Sequence, residues 1–571
     1  GISTFKWHDI CSNILSSVGT PPIATPDLNA ARAMAAAPPQ RRGTDPTTPI
    51  ASVLWNATAL CSNSIVPQIT AATIADSAEQ THNLNASQKV AVKNAIEQQM
   101  TIIWGPPGTG KTKTLAALVH SLTRALSGDR LGTNILIAGP TYKAVEELIE
   151  RIIIAIANDA SCLADIFIAY SSSQRPKNFS HPYTKGRLAS FNLRDREQLA
   201  DECYASLSDR NKITIVATAS MQAWKFAERL TNNCVGQVFD TIIIDESSQV
   251  QVTTAISPLA TLREQGRLVI AGDHLQMPPI MALEPPVGAE YLVGSIQRYL
   301  IERFQIVSCA LEENYRSNED IVAYARSIGY RSSLASVFPH ISLHLIAPLD
   351  TAISSLPQGL PTSTLWKEIL EPSRKVVTLL HDDDLSSQSS RSEAKIVAGL
   401  VWCLRNSVSG EIDGRGGGAH HPPTPKEFWE KCIGIVTPHR AQRALVVREL
   451  KRIFPSNPPE LIDNAVDTVE KFQGGERHTI LVTYGVGDGD VIAGEEAFLM
   501  QLERTNVAVS RAMAKCVVIM PFSLAGHVPQ DKKALKTAHA LKGYLFEFCN
   551  KEQDGQILFG QKGKKAKIRY R

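Results

Sequence analysis

No run among the 571 residues approaches the ~18 consecutive apolar positions of a membrane-crossing helix, so no membrane partner is expected. The opening residues GISTFKWHDI lack the charged-then-apolar order of a secretory signal. They also lack an initiator Met, so we expect a fragment or processed chain with domains or protein partners beyond it. Ten cysteines are present but none forms a CxxC pair. Zinc ribbons and iron–sulfur clusters need clustered thiolates, so neither is expected. The scatter suits buried, reduced thiols in a soluble intracellular protein, cytoplasmic or nuclear. An excess of one charge is missing too: 59 Lys and Arg face 56 Asp and Glu. That balance does not argue for nucleic acid, and any basic surface must be local.

What is present is an alternation of buried strands and helices. Continuous β-branched runs recur at 101–104, 134–139, 213–218, 241–246 and 267–272, and a second series at 376–381, 432–437, 479–484 and 516–521. Unbroken apolar runs are the mark of strands covered on both faces of a parallel sheet. Two such series predict an α/β chain of two tandem domains with parallel sheets.

Residues 1–85, rich in Ala, Pro, Ser and Thr, read as an accessory remnant with a short helix at DLNAARAMAAA. The first domain is expected over 86–285, with a polar, irregular insertion at about 165–211. A linker follows at 286–310, and the second domain at 311–550. Within it SGEIDGRGGGAHHPPTP falls in a mobile loop at about 406–428, SRSE at Ser390 to Glu393 offers a capping box, and HDDD at 381–384 reads as a solvated acidic loop. Residues 551–571 end in six basic side chains among the last ten and are expected as a solvated basic tail.

The sharpest local signal is GPPGTGKT, Gly105 to Thr112, between a predicted strand and a predicted helix. In such a Walker A loop Gly105, Pro106, Pro107, Gly108, Thr109 and Gly110 bring backbone N–H groups to phosphates. Lys111 reaches the β- and γ-phosphates, and Thr112 binds Mg²⁺. Lys113 adjoins them. IIIDESSQ then places Asp245 at a strand end, where it can hold Mg²⁺ through its shell, and Glu246 beside it to deprotonate a water. A carboxylate set for water points to hydrolysis.

LNASQKVAV, GPPGTGKT, DESSQ, GDHLQMPP, LEENYRS, VDTVEKFQGGE and LERTNVAVSRA occur in that order over about three-quarters of the chain. Together they resemble the superfamily 1 helicases of the up-frameshift type, the group of senataxin and the immunoglobulin-μ-binding helicases. The resemblance implies two RecA-like lobes hydrolysing ATP between them. It implies that Gln88 reads adenine, Tyr315 stacks on the base, Glu476 meets the ribose, Gln276 senses the γ-phosphate, and Arg316 and Arg511 serve as arginine fingers. It implies a monomeric motor, an ATP hydrolase and helicase moving 5′ to 3′ on single-stranded RNA or DNA.

The family's gripping segments correspond to Pro140, Thr141, Thr218, Thr437, Arg440 and Thr468. Pro and Thr at strand–helix junctions serve equally as plain caps. His439 stands where the family often has Tyr, and Glu470 where it usually has Asp. A complete β-barrel before the glutamine motif does not fit. Two rival readings share these motifs: a nucleic-acid-stimulated ATPase that remodels nucleoproteins or clamps the strand without unwinding, and an inactive nucleic-acid-binding scaffold.

Overall fold

The computed structural model describes residues 49–128, 132–170, 186–193, 198–223, 237–279, 294–472, 475–530 and 532–571. The helix expected at DLNAARAMAAA lies outside them. The chain divides into two compact units. The first takes residues up to Leu311, except Pro107–Thr109 and Leu275–Met277, which pack with the second unit, Glu312–Arg571.

The first unit is built on eight strands: β1 (Met100–Trp104), β2 (Thr133–Gly139), β3 (Asp165–Tyr170), β4 (Leu188–Asn192), β5 (Ile213–Ala219), β6 (Phe239–Ile244), β7 (Leu262–Gly272) and β8 (Cys309–Ala310). Their order is β4-β3-β5-β2-β6-β7-β1-β8, and every pairing is parallel. Side chains alternate between two covered faces. Ile135, Ile137, Ile215 and Ile243 pack on one side, and Leu136, Val216, Ile242 and Ile244 on the other. That double burial is why these strands read as unbroken apolar runs.

Residues 165–211, expected as an irregular insertion, include regular elements among those described. They supply β3 and β4 and the helix Gln198–Ser208, and so extend the sheet. The expected linker 286–310 likewise holds the helix Ile296–Phe304 and β8. Before β1, three helices (Pro49–Trp55, Ala57–Ser62 and α1, Gln68–His82) precede α2 (Ala86–Glu97). Helix α3 (Lys111–Gly128) follows the Gly-rich loop, and α4 (Tyr142–Ala157) follows β2.

The second unit holds β9 (Glu313–Asn314) beside β10 (Ala335–Ser336) and an antiparallel ribbon of β11 (Ser342–Leu345) with β13 (Val408–Asp413). Its main sheet uses β12 (Val376–His381), β14 (Ile433–Thr437), β15 (Val466–Thr468), β16 (Arg477–Thr483), β17 (Ala512–Pro521), β18 (Lys551–Phe559) and β19 (Lys562–Tyr570), ordered β15-β14-β16-β17-β12-β19-β18. Five strands are parallel, while β19 runs antiparallel to β12 and to β18. This sheet is therefore mixed. The expected basic tail is an edge hairpin, because Ala566 and Ile568 alternate with lysines and turn into the core.

The start of the expected loop at 406–428 is likewise the strand β13. At the N-terminus of α5 (Arg391–Ser407), Ser390 caps the Glu393 N–H at 3.1 Å. The reciprocal bond of a capping box is replaced: the buried Glu393 carboxylate accepts from His381, Thr483 and the Gly485 N–H. His381 and Asp383 of the expected acidic loop are themselves buried, with Asp383 accepting from Ser386 and Ser390.

Candidate ATP site and nucleic-acid track

The strand order sets β6, β7 and β1 side by side, so the segments leaving their C-terminal ends meet at one sheet edge. Open parallel sheets bind ligands at such an edge. From β1 comes the Gly-rich loop, from β6 the pair Asp245–Glu246, and from β7 Asp273. Trp104 Nε1 donates to Asp273 Oδ1 at 3.0 Å and ties two of these ends together.

Lys111 begins α3, and its ammonium lies 3.0 Å from Asp245 Oδ1 and 2.5 Å from Glu246 Oε1. Burial works against its charge, but the two carboxylates hold its pKa above the ordinary lysine value. Asp245 is raised from the usual carboxylate value chiefly by burial, with Lys111 opposing and Glu246 adding to the rise. Glu246 sits at φ 49° and ψ 39°, in the left-handed region. Its N–H donates to Asp245 Oδ1 at 2.8 Å. The pattern of residue types gave no sign of that backbone strain, which in proteins gathers at functional sites.

Gly108 and Gly110 have φ of +77° and +80°. A Cβ on Gly110 would come within 2.6 Å of Gln88 Nε2. Gln88 is buried, and its carboxamide oxygen accepts from the Asn85 N–H at 3.2 Å while its own N–H donates to Asn85 Oδ1. This capping box opens α2, so the side chain expected to read adenine also caps its own helix. Thr112 is half-buried at the start of α3. Lys113 does not join the loop's cluster; its ammonium donates to the Asn83 carbonyl at 2.7 Å.

One lysine against two carboxylates, beside a glycine-lined loop with no room for a Cβ at Gly110, fits a triphosphate accompanied by a divalent cation. Gly105, Pro106, Pro107 and Thr109 are buried around that loop.

In the second unit, the Tyr315 N–H donates to the Gly108 carbonyl at 2.8 Å, and its hydroxyl donates to Glu313 Oε2 at 2.8 Å. Arg316 Nε donates to Glu476 Oε2 at 2.8 Å, and Nη1 to the Ser510 carbonyl at 3.2 Å. Burial alone would raise Glu476, but Arg316 beside it, with Arg415 and Arg511, holds its carboxyl below the usual range. Arg511 Nη2 donates to Gln276 Oε1 at 3.2 Å, and both side chains are buried. The expected sensor and one expected finger are thus in contact, and the other finger is paired with the expected ribose carboxylate.

The track residues divide. Pro140 is half-buried, and Arg440 is exposed at the first turn of α6 (Arg440–Ile453). Thr141 is exposed and accepts from the Ala144 N–H at 3.4 Å, a plain helix cap. Thr218 and Thr437, expected near the strand, are both fully buried. Thr218 Oγ1 donates to the Ala169 carbonyl at 2.8 Å, across to β3. Thr468 is buried at the end of β15. Of the two departures from the family pattern, His439 contacts Glu495 at 3.1 Å, and Glu470 pairs with Arg504.

An all-parallel sheet carrying a Walker A loop, with Lys111 on paired strand-end carboxylates, defines a P-loop ATPase. Residues 88–282 match a domain family described as an AAA domain, and residues 293–521 match a second with the same description. The DNA replication ATP-dependent helicase/nuclease DNA2 of Saccharomyces cerevisiae is 28% identical over 482 residues, covering 82% of this chain and 27% of that protein. The DNA polymerase alpha-associated DNA helicase A of the same yeast is 25% identical, covering 76% of this chain and 65% of that one. The Regulator of nonsense transcripts 1 homolog of Drosophila melanogaster is 25% identical, covering 78% and 35%. These two domain matches and the relatives together group the chain with the superfamily 1 helicases of the up-frameshift type. The chain spans 27% of the DNA2 length and 65% of helicase A. Among the described residues, no helix is long and apolar enough to cross a membrane.

Proposed function

We propose that this chain hydrolyses ATP to move 5′ to 3′ along one strand of nucleic acid and to unwind duplex ahead of it, as an intracellular, monomeric motor. The observation that carries this reading is Lys111 seated on Asp245 and Glu246 at the edge where β1 and β6 end. Thr112 and Asp245 would hold a Mg²⁺ ion, whose charge offsets that of the phosphates. Lys111 exchanges its carboxylates for phosphate oxygens when ATP enters. That frees Glu246 to take the proton of the attacking water. Arg316 and Arg511 then stabilise the charge on the transferred phosphoryl group, and Gln276, already on Arg511, orients against it.

Arg440, Pro140 and Thr141 are the proposed strand contacts, through phosphate and sugar rather than base edges. Thr218, Thr437 and Thr468 would contribute backbone groups. Two of the relatives above carry DNA in their names, so DNA is the first track to test.

The test measures ATP turnover and strand release with matched RNA and DNA duplexes, tailed at the 5′ or the 3′ end, at stated salt. Strand-stimulated hydrolysis and release from 5′-tailed duplex are expected. Turnover without release identifies a remodelling ATPase instead. Equal release from both tails contradicts the polarity, and no turnover at all contradicts the ATPase.

A further inference from the structure

A second cluster of reactive side chains lies away from the phosphate loop, between α3, α4 and the loop after α4. One donor atom each from His120, Asp159 and Cys162 lies within 4.8 Å of the other two. His120 is 1% exposed and Cys162 2% exposed. His120 Nε2 is 3.0 Å from Asp159 Oδ2, yet it is out of line for a hydrogen bond and stays buried without one. Asp159 Oδ1 is occupied, accepting from the Ser161 N–H at 2.9 Å and its hydroxyl at 2.6 Å. The carboxylate is thereby turned so that Oδ2 faces His120. On the far side of the ring, His120 Nδ1 is 2.9 Å from His82 Nε2, at the end of α1. That contact accommodates a proton on His120 Nδ1 donated to His82 Nε2, the tautomer in which His120 offers an Nε2 lone pair to a ligand. Metal-binding histidines are commonly oriented this way.

We propose that His120, Asp159 and Cys162 bind one zinc-type cation, with His82 as the positioning residue behind His120. Imidazole and thiolate are donors for a borderline-soft ion, not for Mg²⁺, which takes oxygen ligands. A thiolate and a carboxylate balance a divalent charge, and they do so among the cations Lys113, Arg124 and Arg151. Arg124 Nε already lies 3.7 Å from Asp159 Oδ2. Three protein ligands leave a fourth position for water. Water reaches it from the adjoining cavity of about 550 Å³, which His120 and Asp159 help to line. The ion would pin the middle of α3, whose first residues hold the phosphate loop, to the loop after α4. Its role is to brace the helix that carries Lys111.

The full chain, stripped with chelator, is titrated with Co²⁺ and then Zn²⁺. Expected are one thiolate-to-cobalt charge-transfer band per chain, its displacement by one equivalent of Zn²⁺, and a rise in melting temperature with Zn²⁺. Cys162→Ser should abolish the band. Asp159→Asn should weaken cobalt binding at least about tenfold, and His82→Ala should weaken it about 10–100-fold, as outer-shell changes do. His344→Ala, in the separate His344–Asp413–His420 group, should leave the band intact. If Cys162→Ser does not fold, the Asp159→Asn titration decides. No band in the wild type, or a band unchanged in Cys162→Ser or in Asp159→Asn, overturns the proposal.

Discussion

Glu246 holds its left-handed backbone while its side chain faces the Lys111 ammonium. Replacing it by Gln keeps the size and removes the base. We expect strand-stimulated turnover to fall about 10²–10⁴-fold while nucleotide still binds, read by steady-state hydrolysis beside equilibrium binding. Gly110 is constrained twice, by φ +80° and by Gln88 Nε2, 2.6 Å from any added Cβ. The left-handed conformation costs a non-glycine residue about 1–2 kcal/mol, and Gln88 would also have to move. Gly110→Ala should therefore weaken ATP binding about tenfold or more, measured by fluorescence titration, with the fold intact by circular dichroism. At this scale much of the site was legible in the sequence. A glycine loop and paired acids at strand ends have few other uses in that order. What stayed hidden was side-chain direction. Nothing in the motif says that Lys113 turns to the Asn83 carbonyl or that Thr218 spends its hydroxyl on β3. Both depend on neighbours distant in sequence.

Among elements, those legible in advance were strands covered on both faces, because burial alone writes their pattern. β4 escaped notice because it is the edge strand and only partly covered, while β3 beside it, though covered on both faces, is a short run set in a polar stretch of sequence. β17 hides a different feature: Lys515, an ordinary-looking cation that is 1% exposed within the strand. Its ammonium donates to the carbonyls of Glu371 and Arg374, and burial pushes its pKa down to about 7. Between that value and the ordinary lysine range, the unfolded chain holds a proton that the folded chain has released. The unfolded state then binds more protons, so stability rises with pH across that window. Below it both states are charged, and the cost of burying the ammonium is felt in full. Lys515→Met removes the titration. Its stability relative to wild type should be most favourable near about pH 6 and should decline toward about pH 10. Urea unfolding midpoints of the two proteins at each pH give the test, and a pH-independent difference would refute it.

At the scale of the whole molecule, each unit packs core side chains on both faces of one main sheet, and the C-terminal hairpin belongs to the second of these sheets. Its sequence, KGKKAKIRYR, disguised this because the lysines outnumber the two residues that point inward. The period of two is nonetheless there: Ala566 and Ile568 are fully buried, while the lysine between them is not. β19 covers the edge of β12 from Val377 to His381, and Ile557 of β18 joins the same core. Deleting residues 551–571 would expose a long apolar strand edge, a template for pairing between chains. It would also remove two buried isoleucines worth about 1.5–3 kcal/mol each. Against a domain stability of about 5–15 kcal/mol that loss is large. The truncated chain should melt well below the full one and aggregate on size exclusion. Ile568→Ser alone should lower the melting temperature, while Lys562→Ser, at the exposed turn, should shift stability by no more than about 0.5 kcal/mol. A solvated tail would give the opposite pattern, with deletion and Ile568→Ser both silent.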